Sequence, residues 1–293
     1  MKTIVVIPTY NEKENIGDLI ALIRAEADPA LDILVVDSAS PDGTASYVKE
    51  LQKSDHKVYL FEQHAKLGLG KAYLDGMKWV LQRDYKVLIT MDADFSHHPR
   101  YLNTLLKSAE TYDLSIGSRY IPGGGLANWP KSREALSRFA NWYACTLTGL
   151  PFSDLTSGFH CFRTSLLRKV LRYNIHTEGY AFLVELKFLS ILQGALYKEI
   201  PIIFADRERG YSKISRRVIL ESILFVLKRS IQRGRVCDMV KKAKKREIEL
   251  NDIKQKSLVN CFHPEEPNKF GDEGSEIKKL DSSPAIESVA GSE

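Results

Sequence analysis

Short runs of apolar, largely β-branched residues recur through the early part of the chain, at positions 4–7, 33–36, 58–61, 87–91 and 114–117. Between them lie segments whose apolar residues fall three and four apart: Ile16, Leu19, Ile20 and Ile23, then Ala72, Met77, Val80 and Leu81, then Leu102, Leu105, Leu106 and Ala109. Strands that read as continuous apolar runs are buried on both faces, and helical segments between them supply the cover. The alternation therefore predicts an α/β fold built on a mainly parallel sheet flanked by helices. In such sheets ligands sit beyond the carboxyl ends of the strands. The loops after Ile7, Val36, Met91 and Gly117 are the ones to watch.

After position 122 the rhythm changes. Gly123, Gly124 and Gly125 read as a flexible loop, 132–147 reads as a helix, and 200–204 as a late strand. A helix over 216–233 is apolar on a broad face and basic at both ends, which suits a membrane interface. Closing the core, or docking on a membrane-embedded partner subunit, stays open for it. From 236 a lysine-rich run gives way to a tail rich in Pro, Gly, Ser and Glu, a composition that favours disorder. The expected organisation is a catalytic domain over 1–235, with 215–233 as the interface helix, and a charged, disordered tail over 236–293.

No stretch reaches the roughly 18 apolar residues of a spanning helix, and no secretory leader pattern opens the chain. Cys145, Cys161, Cys237 and Cys261 lie far apart, without metal-ligand spacing, and read as reduced thiols. A cytoplasmic protein is expected. The net charge of +5 is modest, and its basic residues crowd 207–256, a distribution that suits phosphates or anionic lipid as well as nucleic acid.

The strongest chemical signal is Thr90-Met91-Asp92-Ala93-Asp94, at the end of a buried-type strand. Two carboxylates one residue apart, where strand gives way to loop, can converge on one cation, and carboxylate and phosphate oxygens are natural ligands of Mg²⁺ or Mn²⁺. Three more segments precede it. Val6-Ile7-Pro8-Thr9-Tyr10-Asn11-Glu12 places a proline-stopped strand, a tyrosine and an acid at the first loop. Val35-Val36-Asp37 is followed by Ser40-Pro41-Asp42-Gly43-Thr44, a turn that caps the next helix. Lys66-Leu67-Gly68-Leu69-Gly70-Lys71-Ala72 lets backbone approach a ligand at a helix start. In this order the segments resemble the family 2 inverting glycosyltransferases with the A-type nucleotide-diphospho-sugar transferase fold, which is Rossmann-like. Asp92 to Pro99, Gly117-Ser118-Arg119-Tyr120, Asp154 to Phe159, Asp206-Arg207 and Ser212-Lys213 resemble the dolichol-phosphate mannosyltransferase branch, over about residues 3–230.

The resemblance implies transfer of a hexose, mannose from GDP-mannose, to a dolichyl or polyprenyl phosphate with inversion, and no nucleic-acid partner. It assigns Pro8, Tyr10, Glu12, Asp37, Asp42, Lys71, Asp92 and Lys213 to the nucleotide sugar, and Asp92 and Asp94 to the metal. It places Asp94, Arg119 and Arg207 in catalysis, and Arg119 and Arg133 at the acceptor phosphate. Two positions depart from the pattern. Asp37-Ser38 stands where the family usually writes two acids, and Ser96 where some relatives offer a metal-binding glutamine. Both leave UDP-glucose open as donor. A non-lipid hydroxyl acceptor would need a base, for which Asp154 is the candidate. The reading from another class is a nucleotide-binding scaffold without turnover. His97 and His98 read as a polar loop before Pro99, His160 as structural, and Trp79 and Trp142 as packed. Trp129 is the tryptophan placed to touch sugar or lipid.

Overall fold

The computed structural model describes residues 1–205 and 216–262, with backbone alone at 216–221 and 254–262. The chain divides into two units, Met1–Leu250 and Asn251–Glu293, and the described part of the second is helical. The first half follows the predicted alternation. Strands β1 (Thr3–Thr9), β2 (Asp32–Asp37), β3 (Val58–Glu62) and β4 (Val87–Thr90) are separated by helices α1 (Lys13–Glu26), α2 (Thr44–Ser54) and α3 (Leu69–Leu81). A 3-10 turn (Pro99–Tyr101) and α4 (Leu102–Ser108) lead to β5 (Leu114–Ser118).

Beyond it come β6 (Gly125–Ala127), α5 (Lys131–Thr148), β7 (His160–Arg163), α6 (Thr164–Val170) and α7 (Gly179–Leu192). Then follow β8 (Tyr197–Pro201), β9 (Ile203–Ala205), α8 (Arg216–Ser230) and α9 (Arg233–Phe262). Seven strands form one sheet in the order β3-β2-β1-β4-β7-β5-β8. All neighbours are parallel except β7, which runs antiparallel to both β4 and β5.

Alternation along each strand splits the core in two. Ile4, Val6, Leu34, Val36 and Leu88 pack on one face with α3 and residues of α5 to α9; Val5, Ile7, Ile33, Val35, Val87 and Ile89 pack on the other with α1, α2 and α4. Helix α3 lies close on the sheet because Gly76 has no side chain: a Cβ there would come within 2.6 Å of Val6 Cγ1. Helix α7 is buried on nearly every face, which its weak amphipathicity reflects.

Three expectations are corrected. The Gly123–Gly125 run is not simply loop, since Gly125 opens β6, which pairs with β9 in a two-stranded sheet. The single late strand is two: Pro201 ends β8, and the backbone carbonyl of Ile202 turns to accept from Gly125. The segment from 236 is helical as far as 262. Its lysines hide the spacing of Val236, Met239, Val240 and Ala243, which pack on or are buried in the core, while Tyr112 donates to Glu247 at 2.7 Å. The remainder of the expected tail, 263–293, lies outside the described residues.

Candidate active site

Strand order sets the site. From β1 the chain steps outward through β2 to β3, and α3 then carries it back to β4 on the other side of β1. The carboxyl ends of β1 and β4 diverge there, leaving the crevice in which open α/β sheets bind ligands. A cavity of about 470 Å³ occupies it, lined by Pro8 at the end of β1, Tyr10 and Glu12 after it, Ser38 after β2, Lys66 to Leu69 at the entry to α3, Asp92 to Asp94 after β4, and Glu178 and Gly179 at the start of α7. That volume suits a ligand larger than an ion.

Short bonds shape the loops. Asn11 takes a left-handed φ of 57°, turning the chain out of β1. Asp42 accepts from the Thr44 amide (2.9 Å) and hydroxyl (2.6 Å) and from the Lys13 amide (3.1 Å), so it caps α2 and ties the first two loops together. Burial raises its pKa, but these donors outweigh it and hold the carboxyl below its ordinary range. Asp37 is buried and likewise internal, accepting from Thr9 and Ser40. Both residues brace the nucleotide-side loops, and neither lines the cavity.

Lys71 is directed away as well: it pairs with Asp75 one turn along α3. Among the described residues the basic one on the wall is Lys66, whose ammonium lies 3.8 Å from the centre of the Tyr10 ring. Gly68 takes a left-handed φ of 95°, and a Cβ on Gly70 would sit 2.9 Å from the Thr177 carbonyl oxygen. A Cβ on Gly68 would sit 2.5 Å from the Glu178 carboxylate, which accepts from the Gly70 amide at 3.1 Å. The sequence reading missed Lys66 as a wall residue and missed Glu178. The first stands in a quoted motif, whereas the second lies 108 residues from the glycine it meets.

Asp92 and Asp94 both reach the cavity. Asp94 is buried and accepts from the Ser96 amide (3.2 Å) and hydroxyl (2.5 Å). Asp92 accepts from the Tyr73 hydroxyl at 2.7 Å, and its own amide donates to His97 Nδ1 at 3.1 Å. The His97 ring is buried, stacked on Phe159 at 4.9 Å and edge-on to Phe204. Burial lowers its pKa despite the nearby carboxylates. It props the acidic loop, while His98 caps the following turn and faces Glu26.

The second half behaves differently. Arg119 is almost fully buried, and its guanidinium forks onto Asp154 with Nε at 2.6 Å and Nη2 at 2.7 Å. Nη2 also donates to Thr156, and the Arg119 amide to Asp154. Burial pushes the Asp154 carboxyl up, but the Arg119 guanidinium overrides it, leaving the pKa below the ordinary carboxylate range. Asp154 is therefore a fixed anion without solvent access and is unsuited to act as a base. Arg119 does not line the cavity. Lys187, wholly buried on α7, donates to the carbonyls of Leu155 (2.9 Å) and Ser157 (2.8 Å), and burial drives its pKa down to about 7.

Arg133 lies over the Trp129 ring at 3.9 Å, and Trp129 meets Phe204 edge-on. Trp79 packs between Tyr59 and Tyr85 as expected, but Trp142 does not pack: it is 62% exposed beside the exposed Phe139. Arg207 and Lys213 lie outside the described residues.

Comparison with known proteins agrees with this architecture. The family model "Glycosyl transferase family 2" matches residues 4–173. The chain is 42% identical over 237 residues to the polyprenol monophosphomannose synthase of Mycolicibacterium smegmatis, covering 80% of this chain and 89% of the relative. It is 40% identical over 226 residues to the undecaprenyl-phosphate mannosyltransferase of Micrococcus luteus, covering 77% and 93%. Among solved structures it resembles the mannosyl-3-phosphoglycerate synthase of Rubrobacter xylanophilus, with a TM-score of 0.55, 18% identity and coverage of 80% and 75%. It also resembles the Mycobacterium tuberculosis glucosyl-3-phosphoglycerate synthase in complex with Mg²⁺ and uridine diphosphate, with a TM-score of 0.54, 18% identity and coverage of 77% and 79%. These two similarities define the A-type transferase fold. The chain is a glycosyltransferase of family 2 and belongs to its polyprenol-phosphate mannosyltransferase branch.

Proposed function

We propose that this chain transfers mannose from GDP-mannose to a polyprenyl or dolichyl phosphate, with inversion at the anomeric carbon. The observation that carries the reading is the convergence of Asp92 and Asp94 on one cavity with Tyr10, Ser38 and Lys66, at the strand-order switch where nucleotides bind. The relatives named for this activity support it at about 40% identity.

The wall charges suit a divalent cation. Among the described residues Glu12, Asp92, Asp94 and Glu178 face the cavity against Lys66, and further positive charge beside a diphosphate would offset their repulsion. Among the described residues no group of three or more His, Cys, Asp and Glu is arranged to hold a metal ion, and oxygens of the donor would add to the pair. Asp92 and Asp94 would hold Mg²⁺ or Mn²⁺, which when bound supplies Lewis-acid stabilisation of the departing nucleoside diphosphate.

The chain's own residues do the rest. Lys66 is placed to meet phosphate oxygens, and the Arg133–Trp129 pair presents a cation on an aromatic plane. Arg207 and Lys213 are retained as phosphate contacts of the donor and acceptor. Arg119 takes a revised role, holding Asp154 and Thr156 rather than the acceptor. A phosphomonoester has its second pKa near 6 and is largely a dianion at pH 7, so no strong base is needed to activate it. The burial of Asp154 fits that scheme.

The enzyme would meet its lipid as a peripheral protein on the cytoplasmic face of a membrane. Leu136, Phe139 and Trp142 on α5 and Ile223, Leu224 and Leu227 on α8 are exposed, and the two helices pack together. Bulky apolar side chains on one pair of helices suit the boundary between headgroups and acyl chains. No described helix is long and apolar enough to cross a membrane.

The test is transfer from radiolabelled GDP-mannose or UDP-glucose to undecaprenyl phosphate, with free undecaprenol in parallel. Mannose transfer to the phosphate alone is expected. Glucose transfer from UDP-glucose would reassign the donor, and equal use of the free alcohol would overturn the dianion argument.

A further inference from the structure

Tyr73 sits in the first turns of α3 and is 1% exposed, its ring stacked on Phe182 of α7 at 6.2 Å and 7°. A phenylalanine would fill that apolar slot without adding a hydroxyl that needs a partner when buried. The hydroxyl has one: it donates to Asp92 Oδ1 at 2.7 Å. The Asp92 main chain is fixed independently through its amide bond to His97 Nδ1. Asp94, by contrast, is oriented from two residues away by Ser96. Asp92 thus takes a side-chain donor from α3, 19 residues away in the chain.

We infer that Tyr73 is a positioning residue for Asp92, fixing the rotation of its carboxylate for a divalent cation. This rests on the proposed role of Asp92 and Asp94 in holding that cation. A hydrogen bond from outside the ligand set fixes ligand orientation before the cation arrives, and losing such a partner typically weakens metal affinity by about 10–100-fold. The effect belongs to the cation, because Tyr73 does not line the cavity and has no direct path to the nucleotide.

The experiment compares wild type with Tyr73→Phe by calorimetric titration of Mn²⁺ in the presence of GDP, or of UDP in parallel, and by GDP binding in EDTA. Mn²⁺ affinity is expected to fall about tenfold while metal-free GDP affinity stays the same. Phe182→Leu, which loosens the same packing layer but keeps the hydroxyl, should leave Mn²⁺ affinity at the wild-type value. Unchanged Mn²⁺ affinity in Tyr73→Phe overturns the inference. So does an equal loss of Mn²⁺ and metal-free GDP binding, or a loss in Phe182→Leu as large as in Tyr73→Phe. Asp92→Ala separates the two levels: intact Mn²⁺ binding in that variant defeats the metal reading itself, whereas its loss there with none in Tyr73→Phe defeats only the role given to Tyr73.

Discussion

Asp94 and Asp154 are both buried aspartates in loops beside the sheet, yet they occupy opposite electrostatic worlds. Asp94 follows β4, reaches a cavity and sits among other carboxylates, with a serine as its local donor. Asp154 precedes β7, does not line that cavity and is clamped by the Arg119 fork. A buried anion needs compensation. Where the fold supplies it, as at Asp154, the charge becomes part of the framework. Asp92 and Asp94 instead reach a cavity, where a ligand can complete the site. Chemistry is expected on the first half of the sheet and rigidity on the second.

The sharpest break of that contrast is made on the cavity side. Asp92→Ala and Asp94→Ala should each reduce turnover by about 10³-fold or more, the scale of losing a principal electrostatic stabiliser. Thermal midpoints should stay within a few degrees of wild type. Near-normal turnover of both variants in EDTA is the result that ends the metal reading.

On the framework side the same kind of change should act on folding. Arg119→Met leaves Asp154 buried and unpaired, which costs about 3–5 kcal/mol. Replacing both partners with apolar residues should recover part of that loss. The sign of the pH dependence follows from the lowered pKa of Asp154. Its contribution is fully present above the unfolded carboxylate value, about 3.9, and is lost as pH falls through the lower folded value. Wild type should therefore lose stability in acid more steeply than Arg119→Met. Urea melts at pH 7 and pH 3 decide this, and an inactive Arg119→Met of normal stability would return Arg119 to the acceptor phosphate.

The contrast also explains what could be read from the chain. Strands β1, β2, β4 and β5 were legible because their apolar runs are buried on both faces, the half-buried edge strand β3 because its run is also apolar, and all because helices alternate with them. The acidic pair was legible because it stands at a strand end in a short motif. Strand β7 was not, because His160-Cys161-Phe162-Arg163 is short and carries polar residues that pair across the sheet: His160 meets Thr90 at 3.1 Å. For Asp37, Asp42 and Arg119 residue type alone left the role open. Their residue types suit nucleotides and phosphates, but each finds its partner inside the protein. Only geometry separates those uses.

The C-terminal boundary offers a smaller effect. Ending the chain after Arg235 removes Val236 and Ala243 from the core and the Tyr112–Glu247 bond. Full burial of a valine-sized side chain is worth about 1.5–3 kcal/mol, so a loss of about 3 kcal/mol is expected. Ending it after Leu250 keeps these contacts and should cost less than about 1 kcal/mol. Equal stability of the two truncations by chemical denaturation would show that the first turns of α9 do not belong to the core.

The smallest effect is the most pointed, because it sets two lysines five residues apart against each other. Lys66 lines the cavity beside Tyr10, whereas Lys71 is occupied by Asp75 on α3. The Lys71–Asp75 pair is part-buried, and a helical pair at this spacing is worth about 0.3–0.5 kcal/mol and is screened by salt. Lys71→Ala should therefore lower stability by no more than that and leave the KM for the nucleotide sugar unchanged. Lys66→Ala should raise that KM by about 5–10-fold, the factor equivalent to losing one charge-assisted contact of about 1–1.4 kcal/mol. The loss should shrink at high ionic strength, since the ammonium is exposed and its attraction for phosphate is screened over about 10 Å at 0.1 M salt. If Lys71→Ala raised KM and Lys66→Ala did not, the cavity between β1 and β4 would be bordered by the wrong face of α3, and the donor would have to lie deeper along that helix.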